Sequence, residues 1–348
     1  GIRAPSSSSF APANGPRPAR SRSQFRTTSL QRRRSRSGHL AIDPAKRLPA
    51  RERPVDAIGA ALALTTVLLW GANPAAVRFS LDRLPPITVS GIRFCLASLV
   101  MGFWCLAGRQ PLRLEARQWK PTIICGLLLY LQIGLFTIGC GLSNASHTSL
   151  IVNSFALGVV LIEHFVTRAE RLSPFRAVGV ALAAMGVPLI FVAALGDAQA
   201  EVEPPSVAGD LVLLGSATLL AIKVVYVKRA VRQVPAGTLI FWHDVIGAAL
   251  FVVTAAAVET IEPGPWGWPC VIGLAYQGLM VAGLCFGIQA LLLARHPASQ
   301  VAMFNFATPL VGVAAGVLFR GEQMSVWLFF AGVCIAAGIM IVNFGRRA

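Results

Sequence analysis

Ten apolar runs, none shorter than twenty residues, occupy most of the chain between positions 58 and 344. They cover 58–79, 86–107, 121–142, 147–166 and 174–195, then 208–228, 237–258, 268–293, 298–318 and 325–344. At about 1.5 Å of rise per helical residue, each can cross the ~30 Å hydrocarbon core of a bilayer. Lipid offers no hydrogen-bond partner to the backbone, so a spanning segment must be a helix or part of a closed barrel. Barrel strands are about ten residues long and alternate in polarity, whereas these runs are continuous. The fold class that follows is an all-α membrane protein with ten transmembrane helices. Only 13% of the residues are charged, about half the share usual for a soluble domain.

The runs are not independent of one another. Gly59, Arg78, Pro85, Thr88 and Arg93 recur 150 positions later as Gly209, Lys228, Pro235, Thr238 and His243, and Asn73 falls on Lys223. Trp119 and Gly126 recur as Trp266 and Gly273 at a spacing of 147, and Asn153, Arg168, Glu170, Ser173 and Gly186 recur as Asn305, Arg320, Glu322, Ser325 and Gly338 at 152. Collinear matches of this kind mark an internal repeat, which sets the architecture before any local reading. The expected organisation is a basic tail at 1–56, a five-helix repeat at 57–200 and a second at 201–348.

Charge in the loops orients the chain. With the N-terminus inside, the inner loops carry eleven bases (Arg109, Arg113, Arg117, Lys120, Arg168, Arg171, Arg176, Lys228, Arg229, Arg232 and Arg295) and the outer loops only Arg78, Arg83 and Arg320. The excess of Lys and Arg inside places both termini in the cytoplasm. Five spans is an odd number, so the second repeat enters the membrane in the opposite sense to the first. Inverted repeats of this kind put a site near the bilayer midplane, where the halves meet, and support alternating access.

The net charge of +16 sits mainly in the tail. Residues 1–56 hold 13 Lys and Arg against Asp43, Glu52 and Asp56. This Arg-, Ser- and Pro-rich stretch has the composition of a disordered segment, and three readings of it stay open: a solvated cytoplasmic tail, an organelle transit peptide, or a sequence artefact. Arg32-Arg33-Arg34 lacks interleaved aromatic residues, so nucleic acid is not an expected partner. Cysteines 95, 105, 125, 140, 270, 285 and 334 all lie in apolar runs without a CxxC pair, which argues against zinc or a disulfide framework. No HExxH, GxSxG or Walker A sequence occurs, so neither enzymatic activity, a cofactor nor direct ATP driving is expected.

Several motifs resemble EamA-type members of the drug/metabolite transporter superfamily. They are Trp70-Gly71-Ala72-Asn73-Pro74, Leu84-Pro85-Pro86-Ile87-Thr88 and Ile92-Arg93-Phe94, then Arg168-Ala169-Glu170-Arg171-Leu172-Ser173 and Phe319-Arg320-Gly321-Glu322. The resemblance covers residues 58–344. It implies a carrier of small metabolites, often amino acids or related compounds, commonly exported, in the plasma or inner membrane or else an organelle membrane. His243 departs from it, standing where the repeat suggests arginine. The alternative reading is a non-transporting integral membrane scaffold or receptor.

Polar residues inside the runs are the candidate site, because a charge at mid-bilayer costs about 2.5–3.5 kcal/mol on insertion scales unless a cavity or partner receives it. Lys223 is the clearest, reading either as a contact for a substrate carboxylate or as half of an ion pair with Asp244. Asn73-Pro74 should kink the first span and free a carbonyl. Trp70, Tyr226, Arg93, Asn153, Asn305 and, more weakly, Gln132 and Gln277 complete the expected substrate contacts. His243 and Asp244 are the expected proton-coupling pair. Glu163 is expected to pair with Arg168. Gly179 with Ala183 and Gly332 with Ala336 are small residues four apart, expected to pack the fifth and tenth spans closely as peripheral helices, with a homodimer surface as a further reading.

Overall fold

A computed structural model describes residues 55–168, 173–197, 204–262, 264–296 and 304–344. Residues 1–54, which hold nearly all of the basic tail, residues 169–172 and the Arg295 side chain lie outside the described residues. All of the regular structure among the described residues is helical. Ten apolar helices run in chain order: α1 (Ala57–Leu81), α2 (Pro86–Ala107), α3 (Ala116–Leu142), α4 (Ala145–Val166), α5 (Pro174–Asp197), α6 (Val207–Ala230), α7 (Ala236–Val258), α8 (Gly267–Arg295), α9 (Thr308–Arg320) and α10 (Val326–Phe344). The first eight are long and apolar enough to cross a bilayer, and α9 and α10 are shorter apolar helices.

Their boundaries follow local chemistry. Asp56 accepts from the Gly59 amide and starts α1, and Ser206 does the same for α6 through Gly209. Both supply an oxygen to amides that have no partner inside the helix. Pro86 opens α2, where its missing N–H costs nothing. A capping box between Glu115 and Gln118 starts α3 at Ala116, five residues before the apolar run begins. The helix therefore carries Arg117 and Lys120 beyond the hydrocarbon. Gly321, at φ 69°, ends α9 in the left-handed conformation that glycine adopts without strain.

Three helices are irregular. α1 carries Pro74 at full burial and remains one helix. In α4, an α-helix to Asn153 breaks at Ser154 and resumes at Phe155, ending in a π-helical turn at Ile162–Val166. α8 holds a π-helical stretch, Tyr276–Cys285, between two α-helical ends. A short 3₁₀ turn, Asn305–Ala307, precedes α9. Such interruptions cost backbone hydrogen bonds, and they concentrate where side chains are re-aimed for function.

The helices pack in pairs. α5 lies against α10, α2 against α7, α3 against α6, and α1 against α9 and α8. The α5–α10 contact is made by small residues: Gly179 faces the Gly338 carbonyl, Gly186 the Ala331 carbonyl, and Gly338 faces Ala183. A β-carbon at any of these glycines would meet the facing backbone. Close approach of this kind gains dispersion contact, which drives helix association in lipid. Gly179 and Ala183 are thus packed inside the molecule, whereas Gly332 meets Leu150 of α4. Large apolar side chains such as Leu99, Phe103, Leu195 and Leu318 stand on the outside, each at least 71% exposed. On a soluble protein that surface would aggregate; on a bundle of spanning helices it faces acyl chains.

Carboxylates hold one end of the bundle. Glu259, just past α7, accepts from the Ile87 and Thr88 amides at 2.8 and 2.7 Å and caps α2. Glu322, just past α9, accepts from the Ala145 and Ser146 amides at 2.6 and 2.9 Å and from the Ser146 hydroxyl. Buried Asp210 accepts from Ser143 at 2.7 Å and meets His147 Nδ1 at 2.9 Å. Arg320 forks onto Asp82 at 2.8 and 3.2 Å. A cavity of about 620 Å³ opens at the same end, bordered by Arg78, Arg83, Glu262 and Trp266.

Candidate functional site

The middle of the bundle is built differently. Arg93 of α2 is 4% exposed, and its Nε and Nη1 have no hydrogen-bond partner. Asp244 of α7 is fully buried, and neither carboxylate oxygen has a hydrogen-bond partner. Lys223 of α6 is 5% exposed and donates to Gln132 Oε1 of α3 at 2.8 Å. Asp244 lies within electrostatic reach of both Lys223 and Arg93. Three helices therefore deliver two cations and one acid to a common buried region, and α3 adds the neutral Gln132. Removing such charges from water costs several kcal/mol each unless geometry and hydrogen bonds repay it, and here the hydrogen bonds are incomplete.

His243 sits beside this group. Its Nδ1 is 2.9 Å from Asp244 Oδ1 and 3.3 Å from the Ile240 carbonyl of its own helix. The contact with Asp244 is close in distance but lacks hydrogen-bond geometry, because neighbours on a helix diverge by about 100°. The His243 ring packs edge-on against Phe286 at 6.1 Å, and Phe286 packs edge-on against Trp70 at 6.1 Å. Trp70 thereby joins the charged group through one aromatic ring. Asn73 lies one turn further along α1, on the same face as Trp70, with its Oδ1 buried and unpartnered.

Pro74 lacks the N–H that would bond the Trp70 carbonyl, and α1 is one helix across it, with no break at the proline. The Tyr276 hydroxyl donates to the Leu69 carbonyl at 2.7 Å. That carbonyl is the neighbour of the Trp70 carbonyl in the turn before Pro74, and it meets a side chain of α8. Nothing in the local pattern of Tyr276 announced this bond, since its partner lies 207 residues away.

The remaining expected residues are scattered. Gln277 is fully buried toward the capped end, where its Nε2 donates to Ser80 Oγ at 2.8 Å and to the Ala76 carbonyl at 3.2 Å. Asn153 donates to Ser149 O of its own helix at 2.7 Å, at the break in α4. Asn305 opens the 3₁₀ turn before α9. Both repeat-related asparagines therefore mark helix interruptions. Tyr226 packs with Leu114, Cys125 and Leu239, one turn beyond Lys223. Glu163 bonds Lys228 Nζ at 2.7 Å, across to α6, in place of the expected Arg168. Lys223 likewise takes Gln132 as its hydrogen-bond partner where an ion pair with Asp244 was the alternative. Asn144 of the Asn-Ala-Ser sequon is fully buried and caps α4 through the His147 amide.

Comparison with known proteins follows the same outline. The sequence matches the EamA-like transporter family at residues 57–192 and again at 207–344. The chain belongs to this family. It is 24% identical over 287 residues to the uncharacterized transporter YoaV of Bacillus subtilis (strain 168), covering 82% of this chain and 97% of that one. It is 27% identical to YvbV of the same strain, over 81% of this chain and 90% of the relative. A probable amino-acid metabolite efflux pump of Salmonella typhimurium (strain LT2) is 25% identical over 303 residues, covering 82% and 95% of the two chains. A crystal structure shares the fold at a TM-score of 0.61 and 20% identity, covering 84% of this chain and 99% of that one. The chain is thus an integral, multi-pass membrane protein of a transporter family.

Proposed function

We propose that this EamA-family protein is a secondary transporter of small carboxylate-bearing metabolites, amino acids or their relatives, moving them outward by alternating access. The observation that carries the reading is the buried group formed by Arg93, Lys223 and Asp244, whose hydrogen-bonding capacity the protein leaves unfilled. A stable scaffold gains nothing from buried charge whose hydrogen bonds are incomplete, whereas a carrier needs groups that a substrate can complete. The amino-acid metabolite efflux named for the Salmonella typhimurium relative supports both the substrate class and the direction.

In this reading residues 57–200 and 201–348 are inverted five-helix repeats with both termini cytoplasmic. The pairing of α2 with α7 and α5 with α10 suits that arrangement, because each pair joins equivalent helices of the two halves. Arg93 and Lys223 receive the carboxylate, and Asn73 and Trp70 border the remainder of the substrate. Asp244 and His243 carry the coupling proton. Tyr226, Gln277, Asn153 and Asn305 lie along the route on either side of that centre. The capped end is the external one, and in this conformation its carboxylate contacts hold the halves together there.

Reconstituted protein in liposomes tests the proposal. Saturable flux of a labelled amino acid or organic acid, accelerated by an imposed pH gradient, is the expected result. Folded protein that carries no member of a panel of amino acids, organic acids and nucleosides, with or without the gradient, overturns it.

A further inference from the structure

Gln132 is among the weaker candidates in the sequence, yet it accepts a hydrogen bond from the Lys223 ammonium at 2.8 Å. Its amide is held in a fixed sense. Ser216 of α6 donates its hydroxyl proton to the Gln132 backbone carbonyl at 2.9 Å. That leaves Ser216 Oγ as an acceptor for the Gln132 amide nitrogen, at 3.2 Å. With the nitrogen engaged by Ser216, the amide oxygen must face Lys223. Gln132 and Ser216 are 2% and 0% exposed, so water does not compete for these bonds.

The chemistry of an amide at this place is specific. A carboxylate would hold the ammonium equally well and would also neutralise it. The amide oxygen orients the ammonium and leaves its charge in place. The ammonium lies within electrostatic reach of Arg93 from α2, Asp244 from α7 and the Cys125 thiol from α3, and His243 meets Asp244 at 2.9 Å. With Lys223, Arg93 and Asp244 ionised and His243 neutral, two cations face one carboxylate, and the group carries one positive charge in excess. A bound monoanion brings it to neutrality.

We infer that Gln132, locked by Ser216, is a positioning and specificity-determining residue that keeps Lys223 aimed and uncompensated, so that the site selects substrates bearing one carboxylate. The inference deepens the transport reading and rests on it. Neither residue touches substrate in this account; both act through Lys223.

The test uses full-length protein in liposomes and a uniformly ¹⁴C-labelled amino-acid mixture as the probe. Unlabelled amino acids and the matching amino-acid amides, which lack the carboxylate, serve as competitors. Q132E places a counter-charge on Lys223. It is expected to cut uptake of the mixture at least tenfold, to shift competition from the acids toward the amides, and to raise the melting temperature. S216A frees the Gln132 amide to rotate. It is expected to raise KM severalfold with kcat nearly unchanged and with the preference for acids retained. A merely structural Gln132 would give changes in flux that follow melting temperature, with the acid-to-amide preference unmoved in Q132E, and that result overturns the inference. If Q132E does not fold, unchanged KM in S216A overturns it. A wild-type protein that neither carries nor binds the mixture removes the transport reading itself, which distinguishes the two failures.

Discussion

At the capped end and at the centre the same residue types meet opposite treatment. At the capped end, Glu259 and Glu322 each collect amide protons from a helix start, Asp210 has Ser143 and His147, and Arg320 forks onto Asp82. At the centre, Asp244 has no hydrogen bond to either oxygen, and Arg93 has two nitrogens without one. A carboxylate on a helix N-terminus is stabilised by free amides and by the helix dipole. A carboxylate in the middle of a helix has neither, since the backbone there is already paired. The first arrangement is structural cement. The second leaves buried charge with incomplete hydrogen bonding, which is costly.

This contrast predicts that substitutions at the two places separate flux from stability. The largest effect is expected at Lys223. Lys223→Ala should abolish measurable carboxylate flux while insertion and folding survive, read as transport against detergent melting curves. Retained flux would break the comparison, because the central charges would then be structural too. Arg93→Met should lower flux at least tenfold and yet raise stability by about 1–3 kcal/mol, since an incompletely paired buried charge is replaced by an apolar chain of similar length. A loss of stability would mean that Arg93 has a partner worth more than its desolvation.

Glu322→Ala should do the reverse. It leaves two buried amides and a hydroxyl without their acceptor, at a cost of about 3 kcal/mol, while affinity for substrate at the centre is retained. Unfolding of purified protein alongside equilibrium binding measures both. The smallest effect is expected for Tyr276→Phe. It removes only the bond to the Leu69 carbonyl and should cost about 1 kcal/mol, visible as a small drop in melting temperature. A larger drop would indicate that the Pro74 turn depends on this hydroxyl to stay helical.

Much of the site's membership was readable in the chain, but little of its wiring. Lys223, Arg93, His243 and Asp244 stood out because charge inside an apolar run is costly and therefore conspicuous. Gln132 was less conspicuous, being neutral, and Ser216 not at all, because a serine in a membrane helix usually satisfies its own helix. The α5–α10 contact shows the same limit. Small residues four apart announced a close helix contact around Gly179, and the facing helix turned out to belong to the same chain. Glu163 was paired in the reading with a near neighbour, Arg168, whereas it bonds Lys228, 65 positions away. Local spacing favours local partners, and a bundle brings distant ones closer.

The sequence by itself determined that the chain crosses a membrane as apolar helices, because lipid forces each backbone group to be paired within its own segment and only long apolar runs can comply. It also determined which ionisable groups would be buried, since they are embedded in those runs. Only the tertiary structure decided which of them are satisfied. Lys223 and Gln132 are separated by 91 positions, and the rotation of α3 against α6 that brings them together follows from side-chain packing between helices, to which no single apolar run is sensitive. The same packing gave Glu322 its amides and left Asp244 with none.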